Sequence, residues 1–300
     1  IIEATTRRPM KPSQSVRSRD SAASLELLAA PLVRAALLED LGRGGDLTTE
    51  AIVDPNRRAR ARIVARRSGI VAGLDVALLA FSILDECVES TRHAQEGAKV
   101  AADGLIAEIE GHARTLLTGE RTALNLLSRL CGIATATQRL VELVAGSNAR
   151  IADTRKTTPG LRVLERYAVR CGGGRNHRFG LDDGILIKDN HLALAGSIAA
   201  AVAAARARAG HMVKVEVEVE TIAQLREALE TPIDAVLLDN MTTTQLREAV
   251  GLVRGRVITE ASGGVTEANV ADVAQTGVDI VSIGWLTHSA PALDLSLEIS

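Results

Sequence analysis

Strand–helix alternation from residue 150 onward is the feature that most constrains the fold of this chain. The sequence predicts six short apolar strands there, at 150–153, 185–187, 213–219, 235–238, 256–259 and 278–283. Amphipathic helices lie between several of them, with predicted starts at Thr221, at Thr242 or Thr243, and at Thr266 with Glu267. Such alternation predicts a parallel sheet, either open or closed into a barrel.

The part before residue 150 has a different organisation. An amphipathic helix after residue 24 carries Pro31 near its first turn, with Leu32, Ala35, Ala36 and Leu38 as its apolar side. We predict a strand at 61–66, a helix at 74–87, short strands near 99–100 and 105–109, and a long helix at 119–144. This part is therefore an α+β unit of about a hundred residues.

Residues 1–24 are polar, basic and aperiodic, so we predict a disordered extension. They lack the apolar segment of a secretory signal, and their arginines fall on no amphipathic face, which makes a mitochondrial presequence the less favoured alternative. The remaining boundaries that we predict are 25–125 for the first domain, with 289–300 packing back on it, and 126–288 for the second.

Composition excludes several classes of protein. The net charge of -2 argues against a nucleic-acid-binding protein, and no apolar stretch is long enough to span a membrane. Aromatic residues make up only 1%, so charge and shape must hold any flat ligand. Three widely spaced cysteines, Cys87, Cys131 and Cys171, favour buried, reduced thiols in a cytoplasmic protein.

Charged residues or glycine follow every predicted strand of the second half. These are Asp153 to Lys156, Lys188 to His191, Glu216 to Glu220, Asp239 with Asn240, Glu260 to Gly264, and Gly284. Active sites of parallel α/β folds form at the carboxyl ends of the strands. The pattern therefore predicts an active site at that edge of the sheet.

The strand at 213–219 alternates valines with Lys214, Glu216 and Glu218. Two interpretations are open: an edge strand with a solvated polar face, or a barrel strand whose acids enter the interior. In the second case cations must compensate the carboxylates, and Lys156, Lys188, Mg²⁺ or ligand hydroxyls are the candidates.

Basic residues are concentrated in one region, which predicts a ligand with several negative charges. They are Arg155, Lys156, Arg170, Arg175, His177, Arg178 and Lys188. Ser262-Gly263-Gly264, between a strand and a helix, has the pattern of a phosphate cradle, and Gly284 after the last strand supports it.

At these residues the chain closely resembles the quinolinate phosphoribosyltransferases. The matching stretches are EDLGRGGDLTT (39–49), LTGERTALNLLSRLCGIAT (117–135), DTRKTTPGLR (153–162), YAVRCGGGRNHRFGL (167–181), LIKDNH (186–191), EVEVE (216–220), LLDN (237–240), SGG (262–264) and LTHS (286–289). Together the DTRKT, GGGxNHR and IKDNH elements are highly specific.

The resemblance implies an N-terminal α/β sandwich domain and an irregular α/β barrel of fewer than eight strands. It also implies a homodimer in which each N-terminal domain covers the partner's barrel. The implied reaction is Mg²⁺-dependent transfer of phosphoribosyl from phosphoribosyl pyrophosphate to quinolinate with decarboxylation, which yields nicotinate mononucleotide in NAD biosynthesis.

The resemblance also assigns roles to individual residues. Thr154, Arg155, His177 and Arg178 bind substrate, joined by Arg121 from the partner subunit. Lys156 and Lys188 lie near the carboxylates and the pyrophosphate, and Glu218 and Asp239 hold ribose hydroxyls and Mg²⁺. The 5′-phosphate is assigned to Ser262, Gly263, Gly264, Ser282 and Gly284.

The sequence departs from the family pattern in three places, at an additional glycine in GRGGD, at Trp285 beside the phosphate loop, and in the N-terminal extension. Three alternative functions stay open. They are a phosphoribosyltransferase for nicotinate or another acid, a lyase or aldolase with Lys156 or Lys188 as a Schiff base, and a non-catalytic sensor of pyridine acids.

Overall fold

The structure is a computed structural model that describes the backbone of residues 19–300 and the side chains of residues 24–300. Residues 1–18, most of the predicted extension, lie outside the described residues. The first half contains α1 (Arg19–Leu41), α2 (Leu47–Ile52), β1 (Arg58–Ala65), β2 (Gly69–Ile70), α3 (Leu74–Leu84), β3 (Glu89–Arg92), β4 (Lys99–Val100), β5 (Leu105–His112) and α4 (Ala113–Leu143).

The second half begins with β6 (Arg150–Ala152), α5 (Arg162–Cys171), β7 (Ile185–Ile187), α6 (Asp189–Ala195), α7 (Ile198–Arg208) and β8 (Val215–Val219). It continues with α8 (Ile222–Leu229), β9 (Ala235–Asp239), α9 (Thr243–Val253), β10 (Ile258–Ser262), α10 (Val270–Ala274), β11 (Ile280–Ser282), α11 (Trp285–His288) and β12 (Leu295–Ile299). No helix within residues 19–300 has the length and apolar character needed to cross a lipid bilayer.

An antiparallel sheet with the order β12-β1-β5-β3 forms the N-terminal domain together with α1, α3 and the start of α4. Its first strand in that order comes from the end of the chain, and Ala61 pairs with Ile299. Residues 295–299 therefore complete the sheet of the first domain, although they follow the last strand of the second.

The apolar face of α1 differs from the predicted one. Leu25, Ala29, Val33 and Leu37 are buried at a spacing of four residues, whereas Leu38 is 68% exposed. Pro31 lies inside the helix and not in its first turn, because α1 begins at Arg19, within the range predicted to be disordered. The prediction failed because leucines lie on both faces of this helix, and periodicity alone does not select the packed one.

Six parallel strands form the sheet of the second domain, in the order β6-β11-β10-β9-β8-β7. The prediction of an irregular α/β domain with fewer than eight strands is confirmed, but hydrogen bonds do not close the sheet between β6 and β7. Arg175 lies beside β6, where its N–H donates to the carbonyl of Ile151 (2.8 Å). Since β8 lies between β7 and β9, the edge-strand interpretation of residues 213–219 is wrong.

Two of the three predicted helix starts are correct. Thr221 and Thr242 cap α8 and α9, and each side chain accepts the backbone N–H of a glutamine three residues on. The third prediction is wrong, since α10 begins after Asn269. The side chain of Asn269 accepts the N–H of Thr266 (2.8 Å), which holds the preceding residues in a turn.

The helix α4 joins the two domains along 31 residues, and it packs so closely against the segment before β12 that Gly132 is required. A Cβ atom at this position would collide with the Pro291 carbonyl and lie 2.9 Å from Ala292 Cα. The obstruction is backbone, so it cannot move aside like a flexible side chain.

We predict that Gly132→Ala lowers the free energy of unfolding by about 1–3 kcal/mol, the usual cost of overpacking. The matched control is Gly251→Ala in α9, where a Cβ atom meets nothing within 4 Å. It should be neutral or stabilising by up to ~1 kcal/mol, because alanine favours helix more than glycine does. Denaturant unfolding of both variants measures the difference, and equal stabilities would contradict the packing argument.

Candidate active site

The carboxyl ends of the parallel strands bring most of the predicted site residues together at one edge of the sheet. Lys188, which follows β7, donates from Nζ to Glu218 Oε2 in β8 at 2.6 Å. Asp239, at the end of β9, is half-buried beside them and interacts electrostatically with Lys188 and Lys156. Burial raises the pKa of Asp239, with the two lysines opposing that rise.

Lys156 lies next to Gly284, which begins the short helix after β11. A Cβ atom on Gly284 would come within 2.7 Å of Lys156 Cδ and 3.5 Å of Thr154 Oγ1. The backbone of Lys156 is fixed on both sides, because its N–H donates to Thr154 Oγ1 (3.0 Å) and its carbonyl accepts from Thr287 Oγ1 (2.7 Å). The exposed ammonium of Lys156 therefore stands over the loop at 282–284.

An ion pair between α4 and α5 also stabilises the region around Lys156. Arg129 Nη2 donates to Glu165 Oε1 (2.7 Å), to Thr158 Oγ1 (3.2 Å) and to the carbonyl of Thr287 (2.5 Å). Glu165 is fully buried, and its other oxygen accepts the N–H of Thr158 (3.0 Å). Sequence analysis missed this pair, since nothing in the spacing of Arg129 and Glu165 links the two helices.

The segment 176–178 is held by Asp153, which is completely buried at the end of β6. Its carboxylate accepts the backbone N–H of His177 (2.8 Å), Arg166 Nε (3.2 Å) and the side-chain amide of Asn176. The carbonyl of His177 in turn accepts from Arg166. Burial raises the pKa of Asp153 against the opposing effect of Arg166. These contacts fix the backbone at His177 on both sides.

The imidazole of His177 points at two carboxylates from β8 and β10, the strands on either side of β9. Its Nε2 lies 3.2 Å from Glu216 Oε2 and 3.4 Å from Glu260 Oε2, and all three side chains are at least 85% buried. Its Nδ1 accepts the backbone N–H of Arg178 at 2.7 Å. Both ring nitrogens are thus engaged within the protein. Burial opposes a charge on this ring, but the two glutamates raise its pKa above the ordinary value.

Within residues 24–300, these three side chains are also the one group of histidine, cysteine or carboxylate residues close enough to share a metal ion. Their ligand atoms lie within 4.8 Å of one another. Sequence analysis had nominated Glu218 and Asp239 for this role and had given Glu216 and Glu260 no role at the site. The alternation in β8 left open whether Glu216 faces solvent or the interior, and no pattern showed that Glu260 faces the interior from β10.

Arg155 and Arg178 form the cationic part of the site. They lie close enough for the charge of Arg155 to lower the pKa of Arg178, together with burial, which is the larger cause. Arg178 Nη1 donates to the carbonyl of Gly184 (2.8 Å), whereas Arg155 Nε is buried and has no hydrogen-bond partner among the described residues. An unpaired buried guanidinium N–H beside a second guanidinium is a place for an anion.

The glycine loop after β10 adopts a conformation that requires its glycines. Gly263 and Gly264 have φ of +90° and +62°, and a Cβ atom on Gly263 would collide with the side chain of Asn240. Val265 and the turn at 266–269 separate this loop from α10, which begins later than predicted. Ser282, predicted beside the second phosphate loop, has its side chain buried next to Glu260.

Trp285 connects the loop at 282–284 to the residue that follows the loop at 262–264. Its Nε1–H donates to the carbonyl of Val265 (3.0 Å), and its half-buried ring packs on the hydrophobic core. The tryptophan therefore links the start of α11 to the end of the loop at 262–264 and leaves the outer surface of that loop exposed.

Arg121 is the predicted site residue that the structure keeps apart from the others. It lies on α4 with its side chain 65% exposed, and its ion pair is with the adjacent Glu120 at 3.6 Å. Of the three cysteines, Cys131 is buried, and burial raises the pKa of its thiol to about 12. Cys87 is exposed, so the prediction that every cysteine is buried is wrong.

The protonation of Glu260 gives a testable dependence of stability on pH. Burial raises the pKa of Glu260 from 4.5 to about 7, Glu216 and Asp153 add to the rise, and His177 and Ser282 oppose it. The folded state therefore holds a proton that the unfolded state has lost, and stability falls as pH rises from about 5 to 7. We predict that Glu260→Gln makes this decline shallower, because the variant loses the contribution of Glu260, which is at most about 1.4 kcal/mol per pH unit.

Unfolding by denaturant at several pH values, with the wild type and Glu260→Gln side by side, measures the difference. A decline of equal slope in both proteins would show that other groups cause it.

Comparison with known proteins agrees with the geometry of the site. The family profile of the quinolinate phosphoribosyl transferase C-terminal domain matches residues 133–298, and that of the N-terminal domain matches residues 46–131. The two matches meet inside α4, the helix that joins the domains.

Curated relatives and solved structures extend the agreement over most of the chain. The probable nicotinate-nucleotide pyrophosphorylase [carboxylating] of Bacillus subtilis (strain 168) is 48% identical over 263 residues, which cover 88% of this chain and 90% of the relative. NadC from Streptococcus pyogenes is similar with a TM-score of 0.88 at 41% identity, covering 92% of this chain and 97% of that structure. The nicotinate-nucleotide pyrophosphorylase of Francisella tularensis gives a TM-score of 0.88 at 39% identity, with the same coverage. This chain belongs to the quinolinate phosphoribosyltransferase family.

Proposed function

We propose that this enzyme transfers the phosphoribosyl group of phosphoribosyl pyrophosphate to the nitrogen of quinolinate and releases CO₂, in the de novo synthesis of NAD. The products are nicotinate mononucleotide, pyrophosphate and CO₂. Membership of the family supports the reaction, and one structural observation carries the choice of substrate. Arg155 and Arg178 lie close together at the edge formed by the carboxyl ends of the strands. The buried Nε of Arg155 has no protein partner among the described residues.

A dicarboxylate fits this arrangement better than a monocarboxylate. Two neighbouring guanidiniums repel each other, and a ligand with two carboxylates relieves that repulsion while it supplies the missing acceptor. The exposed ammonium of Lys156 adds a third positive charge nearby, and we assign it to the contact between the carboxylates and the pyrophosphate. Nicotinate, with a single carboxylate, would leave part of this charge uncompensated.

The ribose and phosphate groups are assigned to the other side of the site. Glu218 and Asp239 face the ribose hydroxyls, with Lys188 beside the pyrophosphate. The 5′-phosphate lies against the backbone N–H groups of the loop at 262–264 and of Gly284. Because Ser282 is buried beside Glu260, we assign it a supporting place under the loop and no contact with phosphate through its side chain.

The chemistry follows from these charges. As the bond from C1 to the pyrophosphate breaks, positive charge develops on the ribose, and the carboxylates of Glu218 and Asp239 stabilise it. Lys156 and Lys188 stabilise the negative charge of the departing pyrophosphate. The pyridine nitrogen then carries the new bond, and its positive charge stabilises the electron pair that the departing CO₂ leaves on the ring carbon. A proton from solvent then adds to this carbon and gives the C–H bond of the product. No covalent nucleophile is needed.

Turnover of quinolinate and of nicotinate, each with phosphoribosyl pyrophosphate and Mg²⁺, tests the proposal. We expect mononucleotide and CO₂ from quinolinate, with kcat/KM for nicotinate lower by about a hundredfold or more, the cost of a charged pair left unmade. Turnover of nicotinate but not of quinolinate would contradict the assignment of quinolinate as the substrate. Binding of quinolinate without turnover would favour the sensor, and borohydride trapping of a carbonyl substrate on Lys156 or Lys188 would favour the lyase.

The carboxylates of Glu218 and Asp239 suit a divalent metal. They come from adjacent strands and offer hard oxygen ligands, and burial raises the pKa of Asp239 although Lys188, Lys156 and Asn240 oppose the rise. We therefore propose that these two carboxylates would hold Mg²⁺, which would supply positive charge toward the pyrophosphate.

Removal of Mg²⁺ with a chelator should abolish turnover, and added Mg²⁺ should restore it. Asp239→Asn should raise the Mg²⁺ concentration for half-maximal rate by about tenfold or more, because it removes one charged ligand. The control is Asp234→Asn at the opposite end of β9, which should leave this concentration unchanged. Full activity in the chelator would contradict the metal dependence.

The position of Arg121 supports a homodimer with shared active sites. Its exposed side chain on α4 contacts none of the other predicted site residues, so it is available to a second copy. Leu27, Leu38, Leu47 and Ile52 are also exposed on α1 and α2 of the same domain, which gives an apolar surface for such an interface. Among the described residues no disulfide joins the cysteines, which fits the reducing, cytoplasmic location that we propose.

A mixture of two inactive variants tests the shared site. Arg121→Ala and Lys188→Ala should each lose most activity alone. After mixed refolding or co-expression, about a quarter of the activity should return, because half of the dimers are mixed and each holds one intact site. If no activity returns although mixed dimers form, Arg121 serves its own subunit or no site at all.

A further inference from the structure

We propose that Glu216 and Glu260 are positioning residues that orient Arg178 through the imidazole of His177. This inference rests on the proposed function, in which Arg178 binds a carboxylate of quinolinate. The two glutamates are called here the carboxylate cradle.

The contacts of the His177 ring carry the proposal. Its Nε2 faces the cradle at 3.2 Å and 3.4 Å, and its Nδ1 accepts the Arg178 N–H at 2.7 Å. A nitrogen that accepts a hydrogen bond carries no hydrogen, so the ring proton is on Nε2, where the cradle receives it. The cradle therefore selects the tautomer whose Nδ1 holds the backbone of Arg178.

The surroundings show why the ring needs such a support. The backbone of His177 is fixed by Asp153 and Arg166, but these contacts leave the side chain of His177 free to rotate. The cradle restricts that rotation. Its two carboxylates come from β8 and β10, and both strands are held in the sheet by hydrogen bonds to β9. The guanidinium of Arg178, which donates to Gly184, is thereby held at both its backbone and its side chain.

The resemblance implied that His177 binds a substrate carboxylate, and this role stays a prediction. Both ring nitrogens contact groups of the protein, so the cradle fixes the position of the ring beside Arg178 whether or not the ring also contacts the substrate.

Steady-state kinetics of cradle variants test the proposal. Glu216→Ala and Glu260→Ala should raise KM for quinolinate about tenfold or more, the effect of losing a hydrogen bond to a charged group. KM for phosphoribosyl pyrophosphate should stay within about twofold, because the cradle supports the acid-binding side alone. Glu216→Gln and Glu260→Gln keep an oxygen acceptor and should rescue most of the loss.

The matched control is Asp85→Asn. This carboxylate also contacts a histidine, His112 (2.7 Å), and accepts the N–H of Cys87 (2.9 Å), but it follows α3 in the first domain, outside the sheet that carries the cradle. Its loss should lower stability and leave both KM values unchanged. Equal changes of the two KM values in the cradle variants, or a fall of kcat alone, would overturn the proposal and indicate a structural role.

A second measurement needs neither substrate nor turnover. Long-range ¹H–¹⁵N correlation spectra of ¹⁵N-histidine-labelled protein at mildly alkaline pH identify the tautomer of each ring, with His177→Asn to assign the signal. We expect hydrogen on Nε2 and none on Nδ1 in the wild type. Hydrogen on Nδ1, or a tightly bound metal lost in Glu260→Ala, would overturn the cradle. If quinolinate is not a substrate, the proposed function is wrong, but this spectrum still shows whether the cradle fixes the tautomer of His177.

Discussion

The charge balance at the carboxyl ends of the parallel strands is the constraint on which the rest of the structure depends. Six strands deliver carboxylates, lysines and arginines to one edge, and several of these groups are buried, where an uncompensated charge is costly. The protein compensates most of them internally: Asp153 with Arg166, Glu218 with Lys188, and Glu165 with Arg129. Arg155 Nε, beside Arg178, has no hydrogen-bond partner among the described residues, and we propose that the substrate supplies one.

Compensation also makes the site rigid. Each buried pair spans two elements, so the loops that carry Lys156, His177 and Arg178 are tied to helices and strands and not only to each other. Arg129 is central to this, because one guanidinium joins α4 to α5, to Thr158 and to the carbonyl of Thr287. Since α4 also packs against the N-terminal domain, the position of the second domain's loops depends on the helix that joins the two.

Local patterns predicted the fold well where a pattern determines structure. The strand 185–187 and the strand at 235–238 were found almost to the residue, because short apolar runs between polar ends have few alternatives. Other elements were missed for physical reasons. The strand β3, Glu89–Arg92, is entirely exposed and has no apolar alternation, and α4 begins directly after β5 with no turn residue to separate them.

The site was predictable in its residue types but not in its pairings. Arg155, Lys156, Lys188 and Asp239 were identified because they follow predicted strands. Arg178 was identified from the concentration of basic residues and Glu218 from the alternation in its strand, and the structure brings these charges together. The partners of these residues were not predictable, since Glu260 and His177 are 83 positions apart and meet only through the order of the sheet. Likewise, only the packing of α11 shows that Trp285 supports the loop at 262–264 from behind.

A crystal structure with bound quinolinate tests the assignment of the substrate carboxylates to the two arginines. We predict both carboxylates within hydrogen-bond distance of Arg155, Lys156 and Arg178, with His177 still turned toward Glu216 and Glu260. The prediction would be contradicted by quinolinate bound away from the two arginines, or by an imidazole that has left the glutamates to bind a carboxylate itself.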